Sequence, residues 1–190
     1  LDVSRIGEEG VHFRTDSSDN VLEKSRISDT GLVTAEFGEG VYIGSAESNW
    51  CRYTACDPDA SDRNIIRDTT IVSTTAEAID VKEGTTAGEI RGNSLSFPGG
   101  GEVESAVNLK GNAWIVDANT IDAARGDGIR IHSILEGWGA SNVITANTIR
   151  TAAGNLGIDI VGDARDLGNI VGCDNVTPSG AAVSTNVTCR

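Results

Sequence analysis

An all-β solenoid of short stacked strands is the fold that the sequence predicts, and three observations predict it. A phrase of the form aliphatic-x-x-[Asn/Asp/Ser/Thr]-x-aliphatic recurs six times along the 190 residues. A second phrase, Gly or Ala followed by aliphatic-x-aliphatic, precedes each copy. No window keeps apolar residues at helical spacing while β-branched residues dominate, so helix is at most local.

The first phrase reads NVLEKSRI at 20–27, NIIRDTTI at 64–71, GEIRGNSL at 88–95, WIVDANTI at 114–121, NVITANTI at 142–149 and NIVGCDNV at 169–176. Its aliphatic pairs are Leu22/Ile27, Ile66/Ile71, Ile90/Leu95, Val116/Ile121, Ile144/Ile149 and Val171/Val176. After a first interval of 44 residues the copies recur every 24 to 28, a period typical of repeat architectures. The second phrase begins at Gly10, Gly40, Ala78, Ala106, Gly128 and Gly157. Apolar residues two apart share one face of a strand. Each repeat therefore reads as a short strand, a variable connection, a second strand, a sharp corner and a third strand. Such a unit is one coil of a parallel β-helix; it cannot bury its inner face alone and must stack on its neighbours.

The polar position holds Ser25, Thr69, Asn93, Asn119, Asn147 and Asp174. Asparagine tolerates the left-handed backbone of a tight corner, and its amide both donates and accepts. Asn93, Asn119 and Asn147 are thus expected to bond in a ladder along the axis, or else to serve only as turn residues.

Length and repeat count give a single domain over 1–190 of about six to seven coils, with a loop insertion at 45–62 and a tail or cap at 177–190. The chain opens at Leu1, mid-pattern and without Met, as a processed or truncated chain would. No apolar run approaches a membrane span, and no secretory leader is read. A formal charge of −13 disfavours nucleic acid; it keeps a secreted protein soluble and makes acidic polysaccharide a ligand that needs a cation such as Ca²⁺. The cysteines fall in two close pairs, Cys51/Cys56 in the insertion and Cys173/Cys189 near the tail. Their spacing does not suit zinc. They are either local disulfides, implying an oxidising compartment and a secreted or cell-surface protein, or free buried thiols. Asn175 and Asn186 open glycosylation sequons. Gly99, Gly100 and Gly101 after Pro98 read as a flexible turn between coils. Because no capping helix precedes Val11, exposed coil ends are open to self-association.

These phrases resemble the right-handed parallel β-helix superfamily that includes the pectate lyases, over 11–176. In that family the three strands of a coil are PB1, PB2 and PB3, and an asparagine ladder lies in the PB2–PB3 corner, where Asn93, Asn119 and Asn147 fall. The resemblance is specific for fold and weak for function, since one fold hosts many activities.

The outward position of the first strand holds His12, Tyr42, Asp80, Asn108, Arg130 and Asp159 in successive coils, and the next holds Arg14, Gly44, Lys82, Lys110, His132 and Val161. With coils about 4.8 Å apart, these form two rows, one polar and one carrying the cations Lys82, Lys110 and His132. The 45–62 connection adds Trp50, Arg52 and Tyr53, and the 133–141 connection adds Trp138. The tryptophans either wall a groove for sugar rings or fold over their own loops. His12 and His132 lie four coils apart, too far to cooperate, and His132 near Lys110 and Asp159 is either a proton shuttle or a surface imidazole. The superfamily resemblance implies an acidic polysaccharide on PB1, Lys110 or Arg130 as base, and Asp80, Asn108 and Asp159 as Ca²⁺ ligands. β-Elimination needs such a proton acceptor and positive charge, although an arginine is a poor base. The leading expectation is a secreted protein recognising extracellular polysaccharide through Tyr42, Trp50, Tyr53, Lys82, Asn108, His132 and Trp138, of polysaccharide-lyase ancestry. The alternatives are a non-catalytic, adhesin-like scaffold associating through its coil ends, and an active enzyme, either a Ca²⁺-dependent polysaccharide lyase or a glycoside hydrolase.

Overall fold

The computed structural model describes residues 1–97, 103–123 and 125–190; the turn expected at Pro98 and Gly99–Gly101 lies outside them. Among the described residues the strands, most of them three residues long, form three six-stranded parallel sheets. PB1 comprises Val11–Phe13, Val41–Ile43, Ile79–Val81, Ser105–Leu109, Asp127–His132 and Ile158–Val161. PB2 comprises Val21–Glu23, Ile65–Arg67, Glu89–Arg91, Ile115–Asp117, Val143–Thr145 and Ile170–Val171. PB3 comprises Asp2–Ser4, Arg26–Ser28, Thr70–Val72, Ser94–Phe97, Thr120–Ala123 and Thr148–Thr151. The chain winds through the sheets as an all-β solenoid of about six turns. Its first PB3 strand precedes every copy of the repeat phrases, because Val3 alone carries its inward face.

The aliphatic pairs stack in register. Leu22, Ile66, Ile90, Val116, Ile144 and Val171 follow one another along PB2, and Ile27, Ile71, Leu95, Ile121 and Ile149 along PB3. All are buried. Each such side chain contributes about 1.5–3 kcal/mol over its exposed state, so stacking supplies what three-residue strands lack alone. Gly88 illustrates how tightly the coils close: a Cβ there would lie 2.2 Å from ring carbons of the fully buried Trp114 one coil on.

At the PB2–PB3 corner the amides queue across the coils. The Asn93 backbone N–H and Nδ2 both donate to Asn119 Oδ1, at 2.9 and 3.0 Å. Asn119 repeats the pattern onto Asn147 Oδ1, and Asn147 repeats it onto Asn175 Oδ1. Each Nδ2 also donates to a carbonyl of the preceding coil, as Asn119 does to Ile90 O at 2.9 Å. Thr69 N–H joins at Asn93 Oδ1, and Ser25 N–H at Thr69 Oγ1.

Three sequence expectations change here. The left-handed residue of the corner is not the asparagine but the residue before it: Lys24, Asp68, Gly92, Ala118 and Ala146 all have positive φ. The roughly 1–2 kcal/mol strain of that conformation at the non-glycine positions is offset by the amide bonds that follow. In the last coil the ladder position is Asn175, not Asp174: an additional residue enters the corner, so Val176 pairs with Thr148 instead of stacking on Ile149. Asn175 is consequently not a glycan acceptor in the folded chain, because its buried Nδ2 donates to Ile144 O and Gly172 O. Asn186 Nδ2 is likewise engaged, with Asp159 Oδ1 and Ile160 O. A second, broken queue starts PB2, through Asn20 to Asn64 and through Trp114 N–H to Asn142 and Asn169.

Both cysteine pairs are disulfides, Cys51–Cys56 and Cys173–Cys189. The second ties the 177–190 tail against the last coil, where Thr185 pairs with Ile158 on the PB1 edge. No helix among the described residues is long and apolar enough to cross a membrane.

Asn119→Ala leaves the buried Asn93 N–H without its acceptor and removes the side-chain donor from Ile90 O, and should lower unfolding stability by roughly 1–3 kcal/mol while the surface change Asp122→Ala stays within about 0.5–1 kcal/mol. Denaturant melts of the two variants check this.

Candidate active site

The PB1 strands pair so that His12, Tyr42, Asp80, Asn108, Arg130 and Asp159 form one continuous outward column. Its centre is a buried ionic knot. Lys82 Nζ lies 2.6 Å from Asp80 Oδ2 and Lys110 Nζ 2.8 Å from Asp80 Oδ1. Asp80 is 2 % exposed. Burial raises its carboxyl, but the two ammonium groups outweigh that and hold it below the usual range. Lys82 is driven in the opposite direction: burial lowers it, and Asp80 more than restores it. Removing one partner of such a group strands a buried charge, worth about 3–5 kcal/mol.

Tyr42 sits beside this knot. Lys82 Nζ lies 4.9 Å from its ring centre, and the His12 ring packs edge-on at 4.6 Å and 63°. Burial pushes the Tyr42 phenol well above its ordinary value, so it keeps its proton at neutral pH. His12 Nε2 lies 2.9 Å from Gly44 O. A carbonyl can only accept, so Nε2 carries the hydrogen and Nδ1 keeps its lone pair. Burial lowers the His12 pKa, which favours this neutral form. Both rings line a cavity of about 420 Å³, walled by the 45–62 insertion and by residues of the first two coils.

Beneath the face lies an acidic group of which the sequence singles out only Asp80. Carboxylate oxygens of Glu39, Glu77 and Asp80 lie within 4.8 Å of one another. Glu39 Oε2 is buried without a hydrogen-bond partner. Desolvation pushes the Glu39 carboxyl up to about 8, with the Asp80 and Glu77 charges adding to it; Glu77 is also raised, again chiefly by burial. The signal was present in the sequence as EGVH, EGVY and EAID, a glutamate three residues before the outward position at 9, 39 and 77.

The fold is similar to that in the crystal structure of an alginate lyase from Paenibacillus sp. str. FPU-7, with a TM-score of 0.78 and 31% identity. The chain belongs to the parallel β-helix superfamily. The alignment covers 98% of this β-helix and 64% of that chain, so this chain spans less than two thirds of its neighbour's length. No family model matches the sequence, and no curated protein does.

Several of the predicted site residues are placed differently by the β-helix. Trp50 is 7 % exposed and donates Nε1–H to Ser45 O at 2.9 Å, so it fills the insertion's own core and presents no face to a sugar. Asn108 is 2 % exposed, with Nδ2 turned to Glu77 at 3.4 Å, and does not present its amide to solvent. Trp138 is half-buried in the connection after the fifth PB1 strand, beside Gly137, whose carbonyl accepts from Asn112 Nδ2. Tyr53 lines the cavity with Tyr42. His132 is half-buried, its Nδ1 3.9 Å from Glu104, and burial, then Arg130, lowers its pKa. Arg130 lies between Glu104, at 3.4 Å, and Asp159, at 3.6 Å. Lys110 Nζ is thus held by Asp80 at 2.8 Å, whereas Arg130 sits between two carboxylates with its Nε buried and without a hydrogen-bond partner.

Ca²⁺ at Asp80, Asn108 and Asp159 does not fit these residues. Both Asp80 oxygens are taken by ammonium groups. Arg130 stands between Asn108 and Asp159 in the column, and Asp159 Oδ1 accepts from Asn186 at 2.5 Å. The protein's own cations occupy the places a metal would neutralise.

A raised carboxyl such as Glu39 favours the folded state below its unfolded pKa of about 4.5, and that contribution is lost as pH rises through about 8. Asp80, Glu77, Lys82 and Tyr42 are the titratable groups acting on it. Between those limits the wild type should lose up to about 1.4 kcal/mol per pH step relative to Glu39→Gln. Melting temperatures of both proteins from pH 4 to pH 9, a window of order set by that titration, should converge in acid and separate in base.

Proposed function

We propose that this chain is an extracellular polysaccharide lyase that cleaves a uronate-containing polysaccharide by β-elimination on its PB1 face. The observation that carries the reading is Tyr42 held between the neutral His12 ring and the Lys82 ammonium at one cavity. The likeness to an alginate lyase supports polysaccharide-lyase ancestry and makes alginate the first substrate to try. Two disulfides accord with an oxidising compartment.

β-Elimination breaks the C5–H bond beside a uronate carboxylate and the C4–O4 glycosidic bond, leaving a C4=C5 double bond in the new end. In this reading His12 Nδ1 accepts the C5 proton, and the Tyr42 phenol gives its proton to the departing O4. The imidazolium then returns a proton to the phenolate, and the site is reset. Positively charged Lys82 and Lys110, fixed by Asp80, oppose the negative charge that grows on the carboxylate as C5 loses its proton. Their preorganised ammonium groups need no reorientation in the transition state, because the ion pairs already hold them.

Incubation with alginate, polygalacturonate and a neutral glucan tests this. Ultraviolet-absorbing unsaturated ends are expected from at least one polyuronate and none from the glucan. Tyr42→Phe and His12→Ala should each lower kcat by at least roughly a hundredfold with the circular dichroism of the fold retained. Absence of unsaturated ends from every polyuronate, or full activity in Tyr42→Phe, would sink the proposal.

A further inference from the structure

The 45–62 insertion does more than wall the cavity. Its short helix, Trp50–Tyr53, brings Arg52 and Tyr53 against Arg14 from the end of the first PB1 strand. The Arg14 guanidinium carbon lies 4.2 Å and that of Arg52 5.0 Å from the centre of the Tyr53 ring. Neither arginine makes an ion pair among the described residues, whereas Arg63, Arg67, Arg91, Arg130 and Arg150 each meet a carboxylate. Glu8 and Glu9 line the same cavity but turn elsewhere, to Thr34 Oγ1 at 3.2 Å and to His12 at 3.7 Å. Two guanidinium groups thus converge on one ring with no carboxylate of their own between them.

The convergence is built. Buried Asp59 accepts from the backbone N–H of Thr15 and Asp16, at 3.1 and 3.0 Å, and from Ser45 and Ser61, both at 2.7 Å. Burial raises the Asp59 carboxyl, but these donors outweigh it and keep it ionised. One carboxylate therefore fastens the segment after Arg14 to both ends of the insertion. Buried Trp50 fills the loop behind the helix, and the Cys51–Cys56 bridge closes it. Gly44, next in the Arg14 column, offers no side chain to separate Arg14 from Tyr53.

We infer that Arg14, Arg52 and Tyr53 form a separate subsite that grips the carboxylate of a sugar adjacent to the one cleaved, at the first-coil end of the PB1 groove. The inference rests on the lyase reading above and adds the direction in which the polymer must extend. The Tyr53 ring holds the two guanidinium groups by cation–π contact, and the guanidinium groups offer paired donors to the carboxylate. In a chain of charge −13 a polyanion is repelled at long range, so local unpaired cations are what would admit it.

The test is calorimetric titration of short uronate oligosaccharides, and of neutral gluco-oligosaccharides of equal length, into Tyr42→Phe protein, which leaves the sugar uncut. Adding Arg14→Gln and Arg52→Gln should weaken uronate binding roughly tenfold per arginine and steepen with falling ionic strength, with neutral sugars bound no better or worse than before. Tyr53→Leu, which frees the two guanidinium groups from their ring, should weaken uronate binding by a smaller factor and leave neutral sugars unchanged. Uronate affinity unchanged in the double arginine variant, with the Tyr42→Phe parent binding normally, would overturn the subsite and leave the lyase reading standing. A parent that binds no uronate, from a wild type that releases no unsaturated ends, would overturn both.

Discussion

Coil-to-coil registry is the constraint on which the rest of the structure depends. Strands three residues long have no stability of their own, and a slip of one residue would turn every inward aliphatic to solvent. The buried stacks from Ile27 to Ile149 and from Leu22 to Val171 make that slip expensive. The amide queue from Ser25 to Asn175 fixes the same register with directional bonds, since each asparagine spans three coils. Registry at the PB2–PB3 corner is propagated around each coil to the opposite sheet. That is why residues far apart in the chain, such as His12 and Asp80, stand in one outward column.

The electrostatics of the groove follow from that stacking. An acidic chain has placed a carboxylate in each of three consecutive coils at the base of PB1, as Glu9, Glu39 and Glu77, and has set Asp80 among two lysines above them. Burial then separates the acids by role. Asp80 is held low because Lys82 and Lys110 saturate it, whereas burial, with the Asp80 and Glu77 charges, pushes Glu39 up to about 8. The result is a pair of lysines locked on one buried aspartate, with Lys82 against the Tyr42 ring, in a protein whose total charge is strongly negative. Local geometry, not net charge, decides what such a face can bind.

Period and alternation were enough to read the coils, their inward residues, both outward columns and the three central ladder asparagines, because each follows from a spacing that any stacked strand must obey. What escaped the reading had a different physical origin. The shift from Asp174 to Asn175 depends on one additional residue in a single corner, which a shared template conceals. Sequence leaves Trp50 open between a groove wall and its own loop because composition does not show which way a loop folds, and here its indole finds a backbone acceptor inside the loop. The outward columns name Lys110 and Arg130 but do not show how closely Asp80, Glu104 and Asp159 approach them. His12 stands far from His132, but its neighbour in the same column, Tyr42, packs directly against its ring. The Glu39 signal lay in a repeated glutamate that the aliphatic phrases overshadowed.

A crystal structure of the Tyr42→Phe variant soaked with a uronate oligosaccharide tests the central claim most directly. Sugar density is expected to run along the PB1 face, with one carboxylate facing Lys82 and Lys110 and the C5 hydrogen of that ring turned to His12. Ordered sugar on PB2 or PB3 alone, or a PB1 face that stays bare while the protein still releases unsaturated ends, would contradict it.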